Sequence, residues 1–106
     1  HLSYAKALRA LRHAKLLKGA AHITGGGLTD NTPRMLPFGT AAQIHAKSWS
    51  VPRLFTLLRE IGQVPLADWR RTFNLGIGMV VAVSAQHAAK AEKSLASAGF
   101  TATRIG

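Results

Sequence analysis

Cysteine is absent from the 106 residues, which excludes disulfides, thiolate zinc sites and cysteine nucleophiles. Acidic residues are nearly absent too: Asp30, Glu60, Asp68 and Glu92 are the four carboxylates, set against 14 Lys and Arg. They lie far apart and form no motif for a metal or for a paired acid and base, so no metal site is expected. The sequence has no Gly-x-Ser-x-Gly, no Walker lysine and no His-Glu-x-x-His. His1, His13, His22, His45 and His87 have no metal-ligand spacing. No apolar run approaches the roughly 20 residues that span a bilayer, so no membrane association is expected. The chain opens on His1-Leu2-Ser3 rather than Met, with neither a signal nor a transit pattern, and it reads as a piece of something longer. The expected location is the cytoplasm.

What is present is globular. A hydrophobic fraction of 47% with 17% charged residues suits one folded domain over residues 1–106. The net charge of +10 raises the question of a polyanionic partner. Lys6, Arg9, Arg12, Lys15 and Lys18 recur every third residue, however, and that spacing drifts round a helix instead of forming one stripe. The seven aromatic residues are not interleaved with them, as a stacking platform for single strands requires. Nucleic acid is therefore not the expected partner.

In chain order, an amphipathic helix is expected over 3–18, with Ser3 as N-cap, Gly19 beyond its end and Tyr4, Ala7, Leu8, Leu11 and Ala14 on one face. A short buried strand follows at 20–24. Gly25-Gly26-Gly27 then leads into a short helix to about Leu36, capped by Thr29 or Asp30, with Pro33 in its first turn. The pattern predicts a strand at 41–46, a helix opened by Ser50 and Pro52 and closed by Gly62, and a short helix from Leu66 to Phe73. Met79-Val80-Val81-Ala82-Val83 fits a central strand buried on both faces. Ser84 caps a second amphipathic helix ending at Gly99, and 101–105 closes the chain as a strand. The fold class is α/β, an α/β sandwich whose sheet is covered by the helices at 3–18 and 85–98.

Two stretches carry candidate chemistry. Three consecutive glycines are costly to order, and they persist where a turn is tight or where backbone N–H groups approach a ligand. At a helix start those N–H groups are unpaired and face an anion favourably. A plain strand-to-helix turn needs no ligand, but His22 and Thr24 before Gly25, Gly26 and Gly27, and Asn31 after them, point toward a site. His22 is either a satisfied buried histidine or a ligand-facing one. The second stretch is Arg70-Arg71-Thr72-Phe73-Asn74-Leu75-Gly76-Ile77-Gly78-Met79. Arg71 can pair with phosphate, Asn74 can donate and accept, and Gly76 permits close approach or a turn with an asparagine cap.

Together the two stretches resemble the C-terminal half of the aminoimidazole ribonucleotide synthetase family, the phosphoribosylformylglycinamidine cyclo-ligases. Matching residues are Ala21-His22-Ile23-Thr24-Gly25-Gly26-Gly27-Leu28, Asn31, Pro33-Arg34, Leu36-Pro37, and then Arg71-Thr72-Phe73-Asn74 with Gly76, Gly78 and Met79. Trp49, Val51-Pro52 and the closing Arg104-Ile105-Gly106 fall at the expected places, so the likeness covers nearly the whole chain. Asp30, where the family more often has Glu, and Thr32, where it has an aliphatic residue, depart from it.

The resemblance implies ATP-dependent closure of an imidazole ring, from formylglycinamidine ribonucleotide to aminoimidazole ribonucleotide, in purine biosynthesis. It implies a two-domain enzyme whose N-terminal half binds ATP and Mg2+ and forms a homodimer, with the active site in the cleft between halves. This chain has no such half, so it is expected to form one wall of the site and to be inactive alone. Within it, His22 is the catalytic candidate. Thr24, Gly25, Gly26, Gly27, Asn31, Arg71, Asn74 and Gly76 are the substrate- and phosphate-binding candidates. The alternatives are a basic polyanion- or RNA-binding domain without catalysis, and the equivalent domain of a sister ATP-dependent synthetase or kinase.

Overall fold

The computed structural model describes residues 3–106. It is a small mixed helix and strand domain with the elements α1 (Ala5–His13), β1 (Gly19–His22), α2 (Gly27–Asn31), a 3-10 turn (Thr32–Met35), α3 (Arg53–Gly62), α4 (Leu66–Thr72), β2 (Met79–Ala82), a second 3-10 turn (Ala85–His87) and α5 (Ala88–Ser97). Among the described residues no helix is long and apolar enough to cross a membrane.

β1 and β2 form a two-stranded antiparallel sheet in which Ala20 faces Val81 and Ala21 faces Val80. Successive side chains point to opposite faces, so this register divides the apolar residues between two clusters. On one face Val81 and Val83 pack against Ala7, Leu11 and Leu16 from α1 and its end, and against Ala91 and Leu95 of α5. On the other, Ala21, Ile23 and Val80 pack with Leu28 of α2, flanked by Met35, Ile44, Trp49 and Ile105. The β-branched run of β2 thus serves both clusters, and α1 and α5 pack on one face of the two-stranded sheet.

The sheet is smaller than the alternation suggested. Residues 41–46 and 101–105 are not strands: one backbone bond, His45 N–H to the Ile105 carbonyl at 2.6 Å, joins them. Ile44 and Ile105 are held by side-chain packing against the second cluster, not by a ladder. β2 therefore has one strand neighbour and is not central.

Helix ends differ for a shared reason. α1 stops at His13 because Lys15 takes a left-handed conformation, φ 57°. The Lys15 N–H then bonds the Arg12 carbonyl at 3.0 Å and the Leu16 N–H bonds the Leu11 carbonyl at 2.9 Å, with Leu11 and Leu16 in contact in the core. This is a Schellman end, in which an apolar contact accompanies the two reversed bonds. α3 closes the same way with Gln63 at φ 50°, not with Gly62. α5 does so with Gly99 at φ 89°, where the glycine was expected. Tyr4, not Ser3, is the N-cap of α1, and Ser84 precedes a 3-10 turn without a side-chain cap bond.

Candidate functional site

The glycine stretch joins β1 to α2. Gly26 is the N-cap of α2 at φ 98°, and Gly27 follows at φ 59°, both in the region that disfavours side chains. A Cβ on Gly27 would collide with the Arg70 carbonyl oxygen, so α4 packs directly on loop backbone there. Gly25 has open space where a side chain would stand. Among the described residues no hydrogen bond uses the N–H of Gly25 or Gly26. α2 is only five residues long, so its dipole adds less to anion binding than a full helix would.

Asn31 holds this loop. Its side chain is 1% exposed, and its amide donates to the carbonyls of Thr24 at 3.3 Å, Gly25 at 3.1 Å and Gly27 at 2.9 Å. Two amide hydrogens serve three oxygens, so one is shared. The Gly27 N–H also bonds the Thr24 carbonyl at 3.0 Å. The amide nitrogen of Asn31 is directed at the loop's carbonyls, and its Oδ1 is buried with no hydrogen-bond partner among the described residues.

The second stretch stands beside the first. An open groove of about 220 Å3 is lined by Ile23, Thr24, Phe55, Thr72, Phe73 and Asn74. Asn74 accepts the Gly76 N–H on Oδ1 at 2.9 Å, the asparagine-capped turn that the sequence allowed. Gly76, at φ 90°, leaves space that Pro52 occupies: a Cβ there would stand 2.6 Å from the Pro52 ring. Arg71 reaches from α4 to Asp30 of α2, Nε to Oδ1 at 3.6 Å, with both side chains about half exposed.

His22 is exposed at the end of β1, which removes the buried-histidine alternative. Its ring centroid lies 6.1 Å from that of Tyr4, and Tyr4 in turn fills the space over Gly78. His22 does not line the groove. The structure thus brings Thr24 and Asn74 together, sets Gly25, Gly26 and Arg71 beside them, and gives Gly27, Asn31 and Gly76 to the frame. Phe55, Thr72 and Phe73 are lining residues that sequence reasoning passed over. In sequence Phe55 is one apolar residue among several in its helix, and its 5.7 Å ring contact with Phe73 depends on tertiary packing.

The groove falls below the roughly 300–1,000 Å3 usual for ligand pockets. It is open on one side, with Thr24 and Asn74 contributing polar groups from two loops. Residues 1–106 match the family model described as AIR synthase related protein, C-terminal domain, and the chain belongs to that family. The match with phosphoribosylformylglycinamidine cyclo-ligase of Chromobacterium violaceum is 52% identical over 103 residues, 97% of this chain and 30% of that protein. The same-named protein of Neisseria meningitidis is 48% identical over the same share of each chain. The bifunctional purine biosynthetic protein of Schizosaccharomyces pombe is 50% identical, with 13% of its length covered. The chain therefore spans less than a third of the curated relatives it matches, in their C-terminal region.

Proposed function

We propose that the chain is the substrate-side domain of a phosphoribosylformylglycinamidine cyclo-ligase and forms one wall of its active site. The observation that carries this reading is the meeting of the two family stretches, Thr24 from one and Asn74 from the other, on a single open groove. The ligand is formylglycinamidine ribonucleotide, with its 5′-phosphate at the N–H groups of Gly25 and Gly26. Arg71 joins it there. An exposed ion pair such as Arg71 with Asp30 is worth about 0–1 kcal/mol, whereas a guanidinium–phosphate bond is charge-assisted and bidentate, so the exchange favours the ligand. His22, exposed at the end of β1 though outside the groove, is the candidate to hydrogen-bond the amidine. The overall change is ATP-dependent ring closure in purine biosynthesis.

The residues present do not fit a magnesium–triphosphate site. Among the described residues no three His, Asp or Glu converge, and Asp30 is engaged by Arg71. In this reading ATP and Mg2+ are held by the rest of a family chain, which also supplies the dimer contact, and this chain alone does not turn over. Titration with ribose 5-phosphate, followed by amide shifts, tests the site. Shifts are expected at Thr24, Gly25, Gly26 and Asn74. Shifts spread along Lys6–Lys18 would instead favour a polyanion-binding domain, and ATP-dependent cyclisation by the isolated chain would refute the half-site.

A further inference from the structure

We propose that the apolar face of α3 is the docking surface for the part of a cyclo-ligase chain that lies outside the matched region, a proposal that rests on the half-site reading above. Leu54, Leu57, Leu58 and Ile61 occur at i, i+3, i+4 and i+7, the stripe by which a helix faces a core. Yet no residue of α3 is buried. Their exposures are 61%, 46%, 40% and 74%, and Leu66 at the start of α4 is 39% exposed. α3 meets the domain by its other side. Arg59 lies over the Trp69 ring at 5.6 Å, the Trp69 indole N–H bonds the Phe55 carbonyl at 2.8 Å, and Phe55 packs on Phe73. The helix is held in place with its leucines turned away, and a contiguous exposed apolar face of this kind marks an interaction surface.

Two observations choose the occupant. A second copy would bring +10 against +10. α3 and α4 themselves carry Arg53, Arg59, Arg70 and Arg71 against Glu60 and Asp68. Self-association through this face is therefore opposed by charge. More than two-thirds of the C. violaceum cyclo-ligase lies outside the matched 103 residues, so a large polypeptide is available in the family to cover the face. The position is also apt. Phe55 lines the groove from the same helix, so a partner seated on α3 stands next to the groove that holds Thr24 and Asn74.

The absence of cysteine makes a thiol at position 57 unique in this chain. Leu57→Cys is prepared in the 106-residue chain and in a chimera where the chain replaces the matched region of C. violaceum cyclo-ligase. Maleimide labelling is located by peptide mass spectrometry. We expect labelling to be at least 100-fold slower in the chimera, with Leu57→Glu plus Ile61→Glu lowering the melting temperature of the chimera but not of the isolated chain. Slow labelling in the isolated chain that slows further with concentration would make a second copy the occupant and overturn the proposal. Equally fast labelling in both, in a chimera that turns over, would overturn the α3 assignment and leave the half-site standing. Equally fast labelling in a chimera that melts cooperatively but does not turn over, or a chimera with no cooperative melt, would refute both.

Discussion

Asn31→Ala separates a loop-holding role from a ligand-binding one, because the two roles predict opposite outcomes. The substitution removes three donated bonds of 2.9, 3.1 and 3.3 Å. At about 1 kcal/mol net for each well-formed bond, and less for the longest, this is about 2–3 kcal/mol. The Gly27 carbonyl is left in a buried position, whereas those of Thr24 and Gly25 lie in exposed residues that water can reach. Against this, the buried Asn31 Oδ1, which has no hydrogen-bond partner among the described residues, disappears with the side chain and returns about 1 kcal/mol. The balance is about 1–2 kcal/mol, or roughly 4–16 °C in melting temperature for a domain near 100 residues. Asn31→Asp should cost more, roughly 4 kcal/mol, since a buried carboxylate would face three carbonyl oxygens with no hydrogen to offer while ionised. Thermal unfolding followed by far-UV circular dichroism, backed by urea titration, measures both. A melting temperature unchanged in Asn31→Ala, with ribose 5-phosphate binding lost, would refute the loop-holding role.

Gly27→Ala should destabilise by about 3 kcal/mol or prevent folding, because its Cβ meets the Arg70 carbonyl at a left-handed position; thermal melts report it. Lys15→Gly should stabilise by about 0.5–1 kcal/mol, since glycine adopts φ 57° without strain and the Leu11–Leu16 contact is kept; a lower urea midpoint would contradict it. Arg71→Gln should change stability by less than about 1 kcal/mol, as expected for an exposed pair, while weakening ribose 5-phosphate binding at least tenfold in the amide-shift titration. Unchanged affinity would remove Arg71 from the site.

The parts of the fold legible in the sequence are those set by local chemistry. Gly99 ends α5 because glycine accepts the left-handed position there, and Leu66–Thr72 forms a helix after Pro65 as its pattern indicates. The end of α1 was not legible. Lys15 has no intrinsic preference for its conformation, and what places it there is Leu16 folding back on Leu11, a contact that secondary-structure patterns omit. Residues 41–46 and 101–105 read as strands from alternation, but a strand needs a ladder, and these segments share one backbone bond. In the candidate site the glycine turn and the Asn74 turn were legible as special backbone. The role of Asn31 was not, because an amide near a glycine loop looks the same in sequence whether it faces the loop's carbonyls or a ligand. The Arg71–Asp30 pair joins two helices distant in the chain, so charge alone left Arg71 available for phosphate.

The bonds from Asn31 also bear on how the loop would meet a ligand. Three glycines left to themselves would sample many backbone states, and binding would have to select one of them. Here the Asn31 bonds and the packing of Gly27 on α4 favour one loop conformation in the folded chain. The ordering entropy is thereby taken up before any ligand arrives, and association can proceed by simple docking rather than by loop closure. A substitution that loosens Asn31 would then weaken affinity without removing any atom that touches the ligand, acting through the fraction of molecules whose loop is ready.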